Sequence, residues 1–123
     1  MLELVNITAG YGNITALREV SLKIIEGEIV TLIGANGAGK TTTLMTICGV
    51  VPARHGEIRF LGCSITGQPA AKIVSMGISQ VPEGRRIFPR LTVQENLDMG
   101  AYIRKDREGI RQDLDYIFDL FPI

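Results

Sequence analysis

Hydrophobic and polar positions along the chain predict strands in its first half and helices in its second. Leu2 to Ile7 is apolar with Glu3 and Asn6 interspersed, and Gly10 and Gly12 break the run around Tyr11. Val20, Leu22 and Ile24 alternate with Ser21 and Lys23, which gives a strand with one buried and one wet face. Glu26-Gly27 turns into Ile29-Val30-Thr31-Leu32-Ile33, an apolar, β-rich run of the kind buried on both faces of a parallel sheet. Leu44, Ile47 and Cys48 then recur at helical spacing until Gly49 and Pro52, and Glu57-Ile58-Arg59-Phe60 alternates again before Gly62. Pro69 suits the first turn of a short helix over residues 70–75, with Gly77 as its stop and a short strand over 77–81. A loop carrying Arg85, Arg86 and Arg90 comes next. Thr92 and Glu95 then form a capping box that opens a helix with Val93, Leu97 and Ala101 on one face. The last helix is expected over 106–121, with Ile110, Leu114, Ile117, Phe118 and Phe121 as its apolar stripe. Phe118 and Phe121 are expected in a core or an interface.

Composition narrows this picture. A length of 123 residues allows one domain at most, and 46% hydrophobic residues suffice for a real core. Thirteen basic residues balance thirteen acidic ones, so no broad basic face for nucleic acid is expected. No basic segment followed by an apolar run opens the chain, and no run of ~18 apolar residues occurs in it, so neither a secretory signal nor a membrane span is expected. Cys48 and Cys63 lack zinc spacing and suggest no disulfide framework; both are expected as small buried hydrophobes. His55, beside Gly56, is expected in a solvated turn. These features together point to a cytoplasmic protein.

The chemistry concentrates in Gly34-Ala35-Asn36-Gly37-Ala38-Gly39-Lys40-Thr41, which fits the phosphate-cradling pattern G-x-x-x-x-G-K-[ST]. Glycines allow a tight turn that aims several N–H groups at one point, and the helix beyond adds free donors and partial positive charge. Lys40 would reach the β- and γ-phosphates of a nucleotide, the Thr41 hydroxyl would ligate Mg²⁺, and Thr42 would meet a further phosphate oxygen. The alternative is a glycine-rich turn in an ordinary α/β unit. The order of apolar strand, loop and helix favours the phosphate loop.

With these residues in place, the chain resembles the N-terminal half of an ATP-binding-cassette (ABC) ATPase over essentially its whole length. The opening Leu2-Glu3-Leu4-Val5-Asn6-Ile7, then Tyr11-Gly12, then the phosphate loop stand at that family's spacing. The stretch from Val81-Pro82-Glu83-Gly84 through Glu95-Asn96-Leu97 makes it similar in particular to the smaller ATP-binding subunit of branched-chain amino-acid importers. The resemblance implies an α/β fold: a P-loop NTPase core with an N-terminal antiparallel β subdomain over residues 1–91, and the start of a helical subdomain over 92–123. It implies ATP and Mg²⁺ as cofactors. It also implies a second ATPase subunit and integral-membrane permease subunits as partners, and a place at the inner face of the cell membrane. Tyr11 matches the aromatic that stacks on adenine, with a packing aromatic as the other reading. The family usually carries a Gln where this chain has Glu83. A carboxylate there can also hold Mg²⁺, and the alternative is a plain loop acid. Arg85, Arg86 and Arg90 either meet acidic groups of a membrane subunit or form a solvated loop.

The resembled family continues for about as long again. That second half carries a signature motif, an Asp strand that holds Mg²⁺, a catalytic Glu and a switch His. Their absence here implies a fragment, a truncated reading frame or a partial chain with no complete catalytic set. Two further readings are open on the sequence: a module that binds nucleotide or a partner without turnover, and an ABC ATPase outside transport.

Overall fold

The computed structural model describes residues 1–122 and divides the chain into two units, Met1–Gln80 and Val81–Ile123. In the first, β1 (Leu2–Tyr11) and β2 (Ile14–Ile24) form a long hairpin. After α1 (Lys40–Ile47) come β3 (Ala53–Phe60), the two-residue β4 (Cys63–Ser64) and α2 (Ala70–Ser75). The strands make one antiparallel sheet in the order β2-β1-β3-β4.

The long strands bury one face only because their pleat is interrupted. Leu4, Ile7, Ala9 and Leu17 all point into the core, although Leu4 and Ile7 are an odd number of residues apart. Register shifts in β1 fall between Leu4 and Ile7, where Asn6 has φ 51°, and Glu19 in β2 has φ 48°. An extra residue in a strand switches the face that later side chains occupy. The interruption is held by side chains. Asn6 N–H donates to Ser21 Oγ at 2.9 Å, Ser21 Oγ donates to Asn6 Oδ1 at 3.1 Å, and Glu19 N–H donates to Thr8 Oγ1 at 3.3 Å.

Ile58 and Phe60 of β3, Ile47 and Val51 around the end of α1, Ile65, and Ile73 of α2 complete the core. The buried face of α1 is not the predicted Leu44 stripe: Leu44 is 46% exposed, while Thr42, Thr43, Thr46 and Ile47 are buried. Threonines fit there because two of their hydroxyls are spent on the helix itself. Thr43 Oγ1 donates to Gly39 O at 2.8 Å and Thr46 Oγ1 to Thr42 O at 2.7 Å.

Several expectations are corrected. Residues 29–33 do not form a strand; Ile29 is 95% and Ile33 92% exposed. A strand buried on both faces needs a hydrogen-bonded neighbour and a covering layer, and among the described residues no strand pairs with this run. Residues 77–81, including Gln80, are likewise without strand structure. Cys63 is exposed, because the short edge strand β4 leaves it uncovered, and Cys48 is half-buried. His55 is solvated as expected but lies within β3 rather than in a turn.

The second unit contains α3 (Val93–Gly100) and α4 (Arg107–Leu120). The capping box is half-realised: Thr92 Oγ1 accepts from Glu95 N–H at 3.1 Å. An apolar cleft of about 430 Å³ runs between the helices, lined by Leu97, Ala101, Ile110, Leu114 and Ile117 among others. Phe118 and Phe121 remain exposed rather than buried in a core, because the stripe of α4 is wider than the face that α3 covers. Among the described residues no helix is long and apolar enough to cross a membrane.

Candidate functional site

The loop from Gly34 to Gly39 leads directly into α1, and Gly39 is its N-cap. Gly37 has φ 83° and Gly39 φ 92°, so left-handed residues alternate with ordinary ones along the loop. That alternation turns successive N–H groups inward and makes an anion-binding nest. Ala38 N–H closes a turn onto Ala35 O at 3.1 Å, and Thr43 N–H bonds to Gly39 O at 2.8 Å. The N–H groups of the first helical turn between them have no carbonyl a turn back to bond.

Gly39 is fixed from two sides. Its φ disfavours any side chain, and a Cβ there would stand 2.7 Å from Leu17 Cδ2 and 3.0 Å from Ala16 O in β2. The hairpin therefore supports the end of the loop from beneath. Lys40 folds back over the loop and donates its ammonium hydrogens to Gly34 O and, at 3.3 Å, to Ala35 O. The cation is thus held beside the nest by neutral acceptors, which an anionic ligand would displace by stronger charge-assisted contacts.

Thr41 lies on the exposed side of the first turn of α1. Its hydroxyl, unlike those of Thr43 and Thr46, is engaged with no backbone carbonyl among the described residues. A free hydroxyl oxygen suits a hard cation such as Mg²⁺. The loop and Thr41 thus fit a metal-bound polyphosphate. Among the described residues no cluster of three His, Cys, Asp or Glu side chains forms a metal site of its own.

Tyr11 ends β1 and is 48% exposed. Its hydroxyl points at Met45 Sδ of α1, 3.6 Å away, so an aromatic face stands at the far end of the helix that begins at the phosphate loop. Tyr11, Gly34 to Gly39, Lys40, Thr41 and Thr42 all lie in the first unit. Glu83 lies in the second, on an exposed loop, and its carbonyl accepts from Arg86 Nε at 3.4 Å.

The deciding comparison is with known families: residues 17–120 match the ABC transporter family. The chain belongs to it. It is 48% identical, over 99% of its own length, to the high-affinity branched-chain amino acid transport ATP-binding protein BraG of Pseudomonas aeruginosa. It is 34% identical over 99% of its length to the probable branched-chain amino acid transport ATP-binding protein LivF of Archaeoglobus fulgidus. It covers 52% and 51% of these two proteins, and so spans about half the length of the curated relatives it matches. Among solved structures, a dimeric ATP-binding cassette in a post-hydrolysis state, bound to ADP and Pi, superposes with a TM-score of 0.74 at 25% identity. That match covers 91% of this chain and 53% of the other.

Two contributors to this ABC chain escape sequence reasoning. Arg54 donates to Gly12 O, to Thr15 Oγ1 at 3.3 Å and to Ile14 O at 3.4 Å, from a position far along the chain. No local pattern marks it. Asn96 ties down the loop before α3. Its Oδ1 accepts from Phe88 N–H at 2.9 Å, and its Nδ2 donates to Phe88 O at 3.1 Å and Thr92 O at 2.9 Å. The habit of Asn side chains to bond nearby backbone is the signal that could have found it.

Proposed function

We propose that this chain is the nucleotide-binding part of an ATP-binding subunit of an ABC importer, whose full-length form couples ATP hydrolysis to uptake of branched-chain amino acids. The observation that carries the ATP-binding half is the loop geometry: a nest running into a helix N-terminus, a lysine held over it, and a free hydroxyl on the next residue. The similarity to two branched-chain amino acid transport proteins supports the substrate class. In this reading the loop N–H groups of 34–39 and the Lys40 ammonium hold the β- and γ-phosphates, Thr42 meets a further phosphate oxygen, and Tyr11 carries adenine on its ring face. Thr41 holds Mg²⁺, and Glu83 stands in the sequence position where the family usually has a Gln that touches the metal. When bound, the metal neutralises charge on the phosphate oxygens. Residues 92–123 begin a helical subdomain, and 1–91 form the β subdomain and phosphate-loop core. The assembled protein works on the cytoplasmic side with a second ATPase subunit and membrane permease subunits.

The test is calorimetric titration of the chain with Mg·ATP. Lys40→Ala is expected to weaken binding by the worth of a charge-assisted contact, about 1.5–3 kcal/mol. An affinity within twofold of the parent chain would refute the cradle. For the substrate class, disrupting the gene should lower uptake of labelled leucine, and unchanged uptake of leucine, isoleucine and valine would reject the importer assignment.

A further inference from the structure

We infer that Arg54 is a positioning residue for the nucleotide base: it locks the β1–β2 turn that carries Tyr11, and so sets where a purine ring can stack. The inference rests on the proposed role of Tyr11 and adds to it a residue that no motif marks.

The turn is short and exposed, and it has little else to hold it. Tyr11 pairs with Ile14 across a two-residue loop of Gly12 and Asn13. Gly12 has φ 53°, the positive value that the first central residue of a tight II′-type hairpin turn requires. Ile14 is 69% exposed and gives the turn no packing. Such a tip ordinarily frays, because few buried contacts oppose its opening. Here the Arg54 guanidinium reaches across from the start of β3 and donates to two turn carbonyls, Gly12 O and Ile14 O, and to the Thr15 hydroxyl. A planar fork with five donors suits three acceptors spread over one turn, and a lysine would not span them. Among the described residues Arg54 has no carboxylate partner, so its hydrogen bonds go to the turn.

Arg54 therefore fixes the backbone end of Tyr11, while Met45 meets its hydroxyl at the other end. The two anchors place the ring beside α1, and α1 begins at the phosphate loop. A base stacked on a held ring keeps more of its contact energy than a base that must first order the turn. Arg54 thus acts on the base and not on the phosphates.

The experiment measures the affinity of the chain for Mg·ATP and for inorganic tripolyphosphate, which has no base. It uses the parent chain, Arg54→Ala, Tyr11→Ala and the double variant. Removing a stacking aromatic is expected to weaken ATP about tenfold or more. Arg54→Ala is expected to weaken ATP by roughly threefold to tenfold, a part of that stacking contribution. It should leave tripolyphosphate unchanged, and it should cost nothing further once Tyr11 is alanine. Three results overturn the inference while the Tyr11 role stands: a silent Arg54→Ala, an equal loss for tripolyphosphate, or an undiminished loss in the Tyr11→Ala background. A silent Tyr11→Ala instead overturns the stacking role, and the inference with it. If Arg54→Ala does not fold, Arg54→Gln, which keeps one amide donor, is put through the same cycle with the same criteria.

Discussion

Gly39 shows how one residue joins the binding loop to the sheet. Its φ of 92° places it where L side chains are strained, and its missing Cβ leaves room for Leu17 Cδ2 and Ala16 O. Leu17 can shift a little; the Ala16 carbonyl belongs to the backbone of β2 and moves only with the strand. Gly39→Ala is therefore expected to destabilise the chain by about 1–3 kcal/mol, the usual scale for a residue forced into a sparsely populated backbone region. A urea titration reads this as a lower midpoint. A midpoint equal to that of the parent chain would mean that the loop relaxes away from β2 without cost. The motif pattern alone demands a glycine here because the loop must turn. The contact with β2 adds a second demand that spacing cannot express.

The helices of the second unit show the same division at the scale of an element. The stripe along α4 and the Thr92 cap were legible from residue types. What opens α4 was not. Asp106 stands at the N-cap, yet its carboxylate caps no helix N–H. It is taken by Arg104, whose Nε donates to Oδ1 at 2.9 Å and Nη2 to Oδ2 at 2.6 Å, a two-pronged pairing. Arg104 also reaches Asp113, further along α4. The hydrogen bond from Arg104 holds the Asp106 carboxyl below its ordinary value. A carboxyl depressed in the folded chain favours folding above its unfolded pKa, and that contribution is lost as pH falls through the folded value. The pair is exposed, so its effect is local and screened by salt. An NMR titration should find the Asp106 midpoint below the usual aspartate value, and Arg104→Gln should raise it. A parent midpoint at or above the ordinary value would contradict the pairing.

Over the whole molecule, binding and turnover are separate questions. In the proposed reading the loop, Lys40 and Thr41 supply contacts to a bound nucleotide, and contacts equally strong in ground and transition state do not accelerate chemistry. Acceleration needs a positioned base for the attacking water and donors aimed at developing charge. A general base alone is worth ~10²–10⁴-fold. A phosphate-release assay on the chain, with Lys40→Ala as blank, is expected to read at the blank where binding contacts are all that act, and turnover at about 1 s⁻¹ or faster, the range of ordinary enzymes, would show that the chain supplies acceleration as well.

The sequence by itself determined the phosphate loop, the family, the antiparallel strands around it and the short helix over 70–75. Each is written in local residue types: glycines at turning points, alternation along strands, a proline before a helix and a glycine after it. Tertiary structure alone decided the rest. The pleat of β1 and β2 changes face at Asn6 and Glu19, so simple alternation misassigns the residues beyond each interruption. The threonine face of α1 is buried with the hydroxyls of Thr43 and Thr46 bonded within the helix, a satisfaction that a hydropathy pattern does not register. The apolar run at 29–33 reads as a buried strand, yet it stands exposed, because burial is a property of neighbours and none of the described strands is its neighbour. Arg54 meets Gly12 and Ile14 only because β3 pairs with β1, which brings residues some forty positions apart into hydrogen-bond reach.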